Sequence, residues 1–421
     1  MMIDQPTSKP FHSQPHGKTS DRERLSDPTS SPAACPICGA TNLEEILTLR
    51  GLPVMANVLW DHREEALRAP RGDVALVFCP VCGHGFNQAY DPAALNYDVQ
   101  YENSLHFSPV FQNYAAWLAR RLVEHHDLRG KTIIEIGSGK GEFLRMLCDL
   151  GGNVGTGFDP SYEPAPDERK GSISFIRDLY SERYAHYQAD LIISRHVLEH
   201  IYRPSEFIGS LRRTIGDHKR TVVFFEVPNW QYILRDTAIW DIIYEHFSYF
   251  SPHSLAGLFM RSGFNILNLA EGYDGQFLLI EALPRDIHRQ APNGANAQPL
   301  SELCSAVRAF STASRQKLEE WRRRMNALHA AGKRVALWGA GSKGISFLNM
   351  LDLADTVDII VDINPRKKGK FVTGAGQEIV PPEALKAYRP DTIIIMNPIY
   401  RHEIEKTTQS MGLSVDFLYA S

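Results

Sequence analysis

Two cysteine pairs offer the densest chemistry in the chain: Cys35 and Cys38 in CPICG, and Cys79 and Cys82 in CPVCGHGF. Two thiolates at C-x-x-C spacing share one tetrahedral Zn2+ when the chain turns tightly between them, and the glycine after each pair lets backbone N–H groups approach sulfur. Four sulfur ligands close the coordination sphere, so the expected metal is structural and leaves no position for water or substrate. A redox role would need only one pair in a thioredoxin-like setting, which the flanking sequence lacks. Cys148 and Cys304 fall in helical runs and read as small buried hydrophobes.

A second group is the run KTIIEIGSGKGEFLRMLCDLG, which reads as a strand, a turn carrying Gly137, Gly139 and Gly141, and a helix with Phe143, Leu144, Leu147 and Leu150 on one face. Glycines let the backbone pass close under a ligand, and the helix start presents unpaired N–H groups to it. Glu135 opens this turn, and Asp159 in GFDP closes the next strand, where a ribose diol would be gripped. Further on, WDIIYEHFSYFSPHSL supplies a base, a carboxylate and phenols in Tyr244, Glu245, His246 and Tyr249. The same segment also reads as aromatic packing with Glu245 in a salt bridge. A last group, LWGAGSKG, sets Gly339, Gly341 and Gly344 after a strand, with Asp362 closing the next one. That matches a dinucleotide fingerprint. A scaffold or substrate-side wall, an NAD(P)-linked step and a nucleotide-sensing module all remain open for it. Lys343 and Lys368 are placed to meet phosphates or to be solvated.

These groups need rigid elements to hold them. The 421 residues exceed one ordinary core and suit two or three domains. Residues 1–33, rich in Ser, Pro and charge and including His12 and His16, read as a disordered tail. Residues 34–95 read as short strands and turns around the cysteines. Residues 96–285 alternate apolar strand runs (132–136, 154–158, 191–194, 221–225) with helical periodicity, the pattern of a doubly wound parallel α/β sheet. A polar stretch and a long amphipathic helix occupy 286–330, and a second Rossmann-like α/β unit fills 331–421. With 45 basic against 49 acidic residues, the net charge of -4 gives no excess to neutralise nucleic acid or an anionic bilayer. No apolar run is long enough to span a membrane, and the N-terminus lacks a secretory apolar stretch, so the cytoplasm is the expected location.

The spacing E-x-G-x-G-x-G resembles the cofactor turn of class I S-adenosylmethionine-dependent methyltransferases more than the G-x-G-x-x-G of dinucleotide enzymes. Four features together widen the likeness: the paired CPxC motifs, this turn, EVP followed by EHFSYFS, and the C-terminal GAGSKG with VDINPRKKGKF. Over residues 34–421 the chain resembles the sugar C-methyltransferases that act on nucleotide-linked keto-deoxysugars. The resemblance implies a zinc-binding domain, a methyltransferase core and a C-terminal α/β domain, with the substrate in a cleft lined by the first two. It also implies S-adenosylmethionine as cofactor, structural Zn2+, and Asp178 beside adenine. His246 and Glu245 match the family's catalytic pair, His200 its histidine after the fourth strand, and Tyr101 its tyrosine after the zinc domain. One departure matters. Where the family reads Ile-Tyr-His-Glu-His, this chain reads Ile243-Tyr244-Glu245-His246, so either Tyr244 or Ile243 takes the tyrosine's place.

The chemistry implied is removal of a proton beside a ketone by His246, with Glu245 orienting it or the sugar and Tyr244, Tyr101 or His200 donating hydrogen bonds. O-methylation of a sugar or related small molecule would use the same turn and stays open, as does a bifunctional protein with an NAD(P)-binding C-terminal domain. The expected partner is a small nucleotide-linked sugar, with the chain a monomer or weak homo-oligomer.

Overall fold

The computed structural model describes residues 33–95, 101–163, 171–285, 300–353 and 356–420. The tail expected over 1–33 lies outside them except for its last residue, as does the polar stretch of residues 286–299. Three sheets organise the described residues.

In the first sheet, β1 (Glu44–Pro53), β2 (Arg71–Cys79) and β3 (His84–Asn87) pair antiparallel. Its inward side chains, among them Ile46, Leu52, Val74, Leu76 and Phe86, are buried. That alternation is what a sheet with one wet face requires.

The central sheet contains β4 (Thr132–Ile136), β5 (Val154–Phe158), β6 (Ile173–Ile176), β7 (Leu191–Arg195) and β8 (Val222–Pro228), all parallel. The chain then leaves this sheet, and β9 (Ser248–Tyr249) adds to β3 as a fourth strand of the first sheet. It returns as an antiparallel hairpin, β10 (Phe264–Gly272) and β11 (Phe277–Pro284), which completes the order β10-β11-β8-β7-β4-β5-β6. This is the expected doubly wound α/β sheet with an antiparallel edge. Its strands are near-continuous apolar runs (Ile133, Ile134, Leu191–Ile193, Val223–Phe225) because helices cover both faces. Strand order reverses at β4, with β5 on one side and β7 on the other, so the carboxyl ends of β4 and β7 form the crevice where such sheets bind ligands.

A helix of 31 residues, Leu300–Ala330, leads into the third sheet. There β12 (Val335–Trp338), β13 (Ile359–Val361), β14 (Glu378–Val380), β15 (Thr392–Ile395) and β16 (Asp416–Tyr419) are parallel in the order β14-β13-β12-β15-β16. One apolar cluster joins the first sheet, the Trp230–Tyr249 excursion, the long helix and this last unit. That shared core fixes the third sheet against the first and against the excursion carrying Glu245 and His246.

Candidate active site

Both glycine turns follow the first strand of their sheet and repeat the same bonds. Gly137 N–H donates to the Phe158 carbonyl and Gly339 N–H to that of Val361, each at 2.8 Å. Gly139 N–H donates to Asp159 Oδ2 at 2.8 Å, and Ala340 N–H to Asp362 Oδ2 at 2.9 Å. Each acidic residue closing the second strand therefore ties its own turn down. Gly137 has φ 73°, and a Cβ there would lie 2.2 Å from Val197 Cγ2. Only glycine combines that backbone with that approach.

The first turn keeps room for a cofactor. A Cβ at Gly139 would meet nothing within 4 Å, and Ser138 Oγ is buried with no hydrogen-bond partner among the described residues. The helix Glu142–Gly151 starts directly after the turn. The N–H groups of Gly137, Ser138, Gly139 and Gly141 are spent inside the turn, so what it offers a ligand is open space and the unpartnered Ser138 hydroxyl. Glu135 is placed differently: it is buried, it accepts from Leu144 N–H at 3.1 Å, and burial raises its pKa to about 8. It joins strand to helix beneath the turn. Asp178 is turned to its own loop, paired with Arg183 and accepting from Leu179 N–H at 2.7 Å.

Beside the crevice lies a cavity of about 310 Å³. Its walls come from all three parts of the chain: Asn57 and Tyr101; His196, Glu199, His200, Ile243 and His246; and Gly341, Ser342, Lys343 and Asn397. The resemblance implies a substrate cleft lined by the first two units; in this cavity the second glycine turn also forms part of the wall. Hydrogen bonds close the rim between β11's hairpin turn and the last unit, from Asn397 Nδ2 to Gln276 Oε1 at 2.9 Å and from Tyr273 to Tyr400 at 2.6 Å.

A chain of hydrogen bonds crosses the cavity wall. Tyr101 donates to Glu245 Oε2 at 2.6 Å, while Asn57 Nδ2 lies 3.3 Å from the Tyr101 hydroxyl and 2.8 Å from Ser342 Oγ. Ala56 N–H donates to the other Glu245 oxygen. Burial nonetheless pushes the Glu245 pKa up. His200 Nδ1 sits 3.0 Å from the Glu245 carbonyl. Burial lowers the pKa of His246 to about 3, so its ring is neutral at ordinary pH. Glu245, His246, His200 and Tyr101 thus converge. Tyr244 does not join them: its hydroxyl accepts from Asp91 N–H at 3.0 Å, its ring stacks on Tyr90, and it is absent from the cavity wall. Ile243 lines the cavity.

Deeper in the wall is an ionic network that sequence reading missed. Glu226, fully buried on β8, pairs with Arg195 and His196 at 2.8 Å each and accepts from Tyr114. Burial would raise the Glu226 pKa, but the Arg195 charge and the His196 contact outweigh it and hold the group at about 2. His196 would be lowered by burial, yet Glu199 and Glu226 hold it up at about 9. The available signal was an acidic residue inside the apolar strand FFEV, which is stable only when paired.

The four cysteines meet as expected. Their sulfurs lie within 4.8 Å of one another, with Cys35 to Cys82 and Cys38 to Cys79 at 3.5 Å. That is too far for disulfides and close to the ~3.8 Å edge of a tetrahedron with 2.3 Å metal–sulfur bonds. The donor set fits one thiophilic ion.

Comparison with known proteins agrees with this architecture. Residues 107–269 match the model for a methyltransferase domain, and residues 297–415 that for a C-methyltransferase C-terminal domain. The parallel sheet, its glycine turn and the matched domain make the chain a class I S-adenosylmethionine-dependent methyltransferase. Among curated proteins it is similar to the C-methyltransferase NovU of Streptomyces niveus, with 24% identity over 388 residues, covering 88% of this chain and 90% of that one. Solved methyltransferase structures match over 42% of the chain, among them these two. One is the 1,6-didemethyltoxoflavin-N1-methyltransferase of Burkholderia thailandensis, at 13% identity, 82% of that chain and a TM-score of 0.32. The other is the magnesium protoporphyrin IX methyltransferase of Synechocystis PCC 6803, at 16% identity, 84% and 0.33.

Proposed function

We propose that the enzyme methylates a carbon next to the ketone of a nucleotide-linked sugar, with a structural zinc ion held by Cys35, Cys38, Cys79 and Cys82. The observation that carries this reading is the cavity itself. A neutral, half-buried imidazole and a phenol held from behind by the Glu245 carboxylate share the wall of a small-molecule-sized space with a second glycine turn. The match of residues 297–415 to a C-methyltransferase C-terminal domain favours carbon over oxygen as acceptor.

A carbon beside a ketone becomes nucleophilic only on losing a proton. His246 takes that proton; the C–H electron pair becomes the enolate double bond, and the carbonyl π pair moves to oxygen. Tyr101 and His200 line the same cavity, Tyr101 held by its hydrogen bond to the Glu245 carboxylate and His200 by its contact with the Glu245 carbonyl. S-adenosylmethionine, when held at Gly137, Gly139, Gly141 and Asp159, supplies an electrophilic methyl group. On the facing wall, Gly341, Ser342 and Lys343 offer backbone donors and a cation suited to a diphosphate. Lys343 is presently paired with Asp241 and lies over the Tyr232 ring.

Mass spectrometry of the zinc-loaded protein with S-adenosylmethionine and a panel of nucleotide-linked keto-sugars should show the gain of one methyl, located on carbon by fragmentation. His246→Asn should retain cofactor binding and lose turnover by roughly 100-fold or more. Methyl gain on oxygen, or near-normal turnover in that variant, would refute the respective step.

A further inference from the structure

Beside the proposed base lies a carboxylate with an oxygen to spare. Glu199 follows β7 and is 1% exposed. Its Oε1 lies 3.6 Å from His196 Nδ1, while its Oε2 is buried and meets no hydrogen-bond partner among the described residues. Nδ1 of His246 is likewise buried without a partner there. Glu199, His200 and His246 each offer an atom within 4.8 Å of the others, and the two rings cross at 77° with centroids 4.9 Å apart. One Glu199 oxygen and one His246 ring nitrogen thus lie within 4.8 Å of each other, and an unpartnered atom on each side leaves a place for one bridging group.

Two carriers suit that gap, a water or a divalent cation held by two imidazoles and a carboxylate. Charge decides between them. His196 already supplies the positive partner of Glu199, and Arg195 stands alongside on Glu226. A further cation would face both in a poorly screened wall. The His196 backbone is left-handed (φ 55°), uncommon outside glycine, and it sets the ring between Glu199 and Glu226.

We infer that Glu199 is a positioning residue: through one water, its Oε2 orients the His246 ring and stabilises the imidazolium formed when that ring takes the substrate proton. The inference rests on the base role proposed above for His246. Burial is what weakens His246 as a base, His200, His196 and Lys343 weaken it further, and Glu199 is the group that strengthens it. Glu245, adjacent in sequence, turns its own carboxylate to Tyr101 and Ala56. The arrangement follows the logic of a carboxylate behind a histidine base.

The test compares Glu199→Gln and Glu199→Asp with the wild type, all zinc-loaded, using NMR of isotope-labelled histidine together with kinetics. In the glutamine variant His246 should lose its preference for one tautomer and its pKa should fall. The value of kcat should drop on the order of 10- to 100-fold with KM within about twofold, and the acidic limb of the pH profile should move to lower pH. Glu199→Asp should recover part of each effect. If the glutamine variant does not fold, the aspartate variant decides, since a side chain one methylene shorter must still shift the tautomer balance. The NMR readout needs no substrate, so a wild type that methylates no keto-sugar refutes the proposed reaction and leaves the Glu199 result standing. An unchanged tautomer and pKa of His246, or a second divalent ion bound only when Glu199 is present, overturns the inference.

Discussion

The pairing of His196 with Glu199 and Glu226 makes a pH-dependent contribution to stability whose sign and size follow from the structure. His196 has an ordinary value of 6.5 that is raised to about 9 in the fold, because two carboxylates outweigh the cost of burial. A group whose pKa is raised on folding stabilises the native state fully below its unfolded value and loses that contribution as pH rises through its folded value. The window is therefore pH 6.5 to 9. At about 1.4 kcal/mol per unit, the shift is worth about 3 kcal/mol. His196→Asn removes it. Denaturant unfolding of both proteins between pH 6 and 9.5, with zinc held constant, should show the variant less stable at pH 6 and the gap narrowing by about 3 kcal/mol by pH 9.5. A gap that stays constant across that range would show that His196 is neutral in the fold, and the charge argument about Glu199 would lose its premise.

Two other outcomes test the flanking elements. Cys79→Ser should abolish stoichiometric metal binding, read by elemental analysis, and lower the melting temperature sharply, since a structural zinc ion contributes on the order of 10 kcal/mol to a small unit. Gly137→Ala forces a Cβ to 2.2 Å from Val197 at φ 73°. It should cost roughly 1–3 kcal/mol of stability and weaken S-adenosylmethionine binding at least tenfold in calorimetry, through displacement of the turn.

Much of the machinery was legible in the chain because local chemistry dictates it. The cysteine spacing could bring four sulfurs together only around a tight turn, and it did. Apolar runs of four or five residues flanked by glycine turns became β4, β5 and β7, since nothing else buries such runs with every backbone group paired. Tyr244 was less legible. Its placement depends on a neighbour far away in sequence: its ring meets Gly72 so closely that a Cβ there would lie 2.3 Å from it, and its hydroxyl reaches Asp91. No periodicity in WDIIYEHF encodes that neighbour.

Sequence by itself determined the parallel sheet, both glycine turns, the cysteine cluster and the identity of the titratable groups near the crevice, since each is announced by a motif or apolar run of a few adjacent residues. Tertiary structure decided which of those groups face one another. It brought Asn57, Tyr101 and Ser342 into one hydrogen-bonded chain, set the second glycine turn opposite His246, and buried Glu199 and Glu226 around His196. The physical reason is that these contacts join residues up to 285 positions apart, and their geometry is fixed by a shared apolar core rather than by any local preference of the chain.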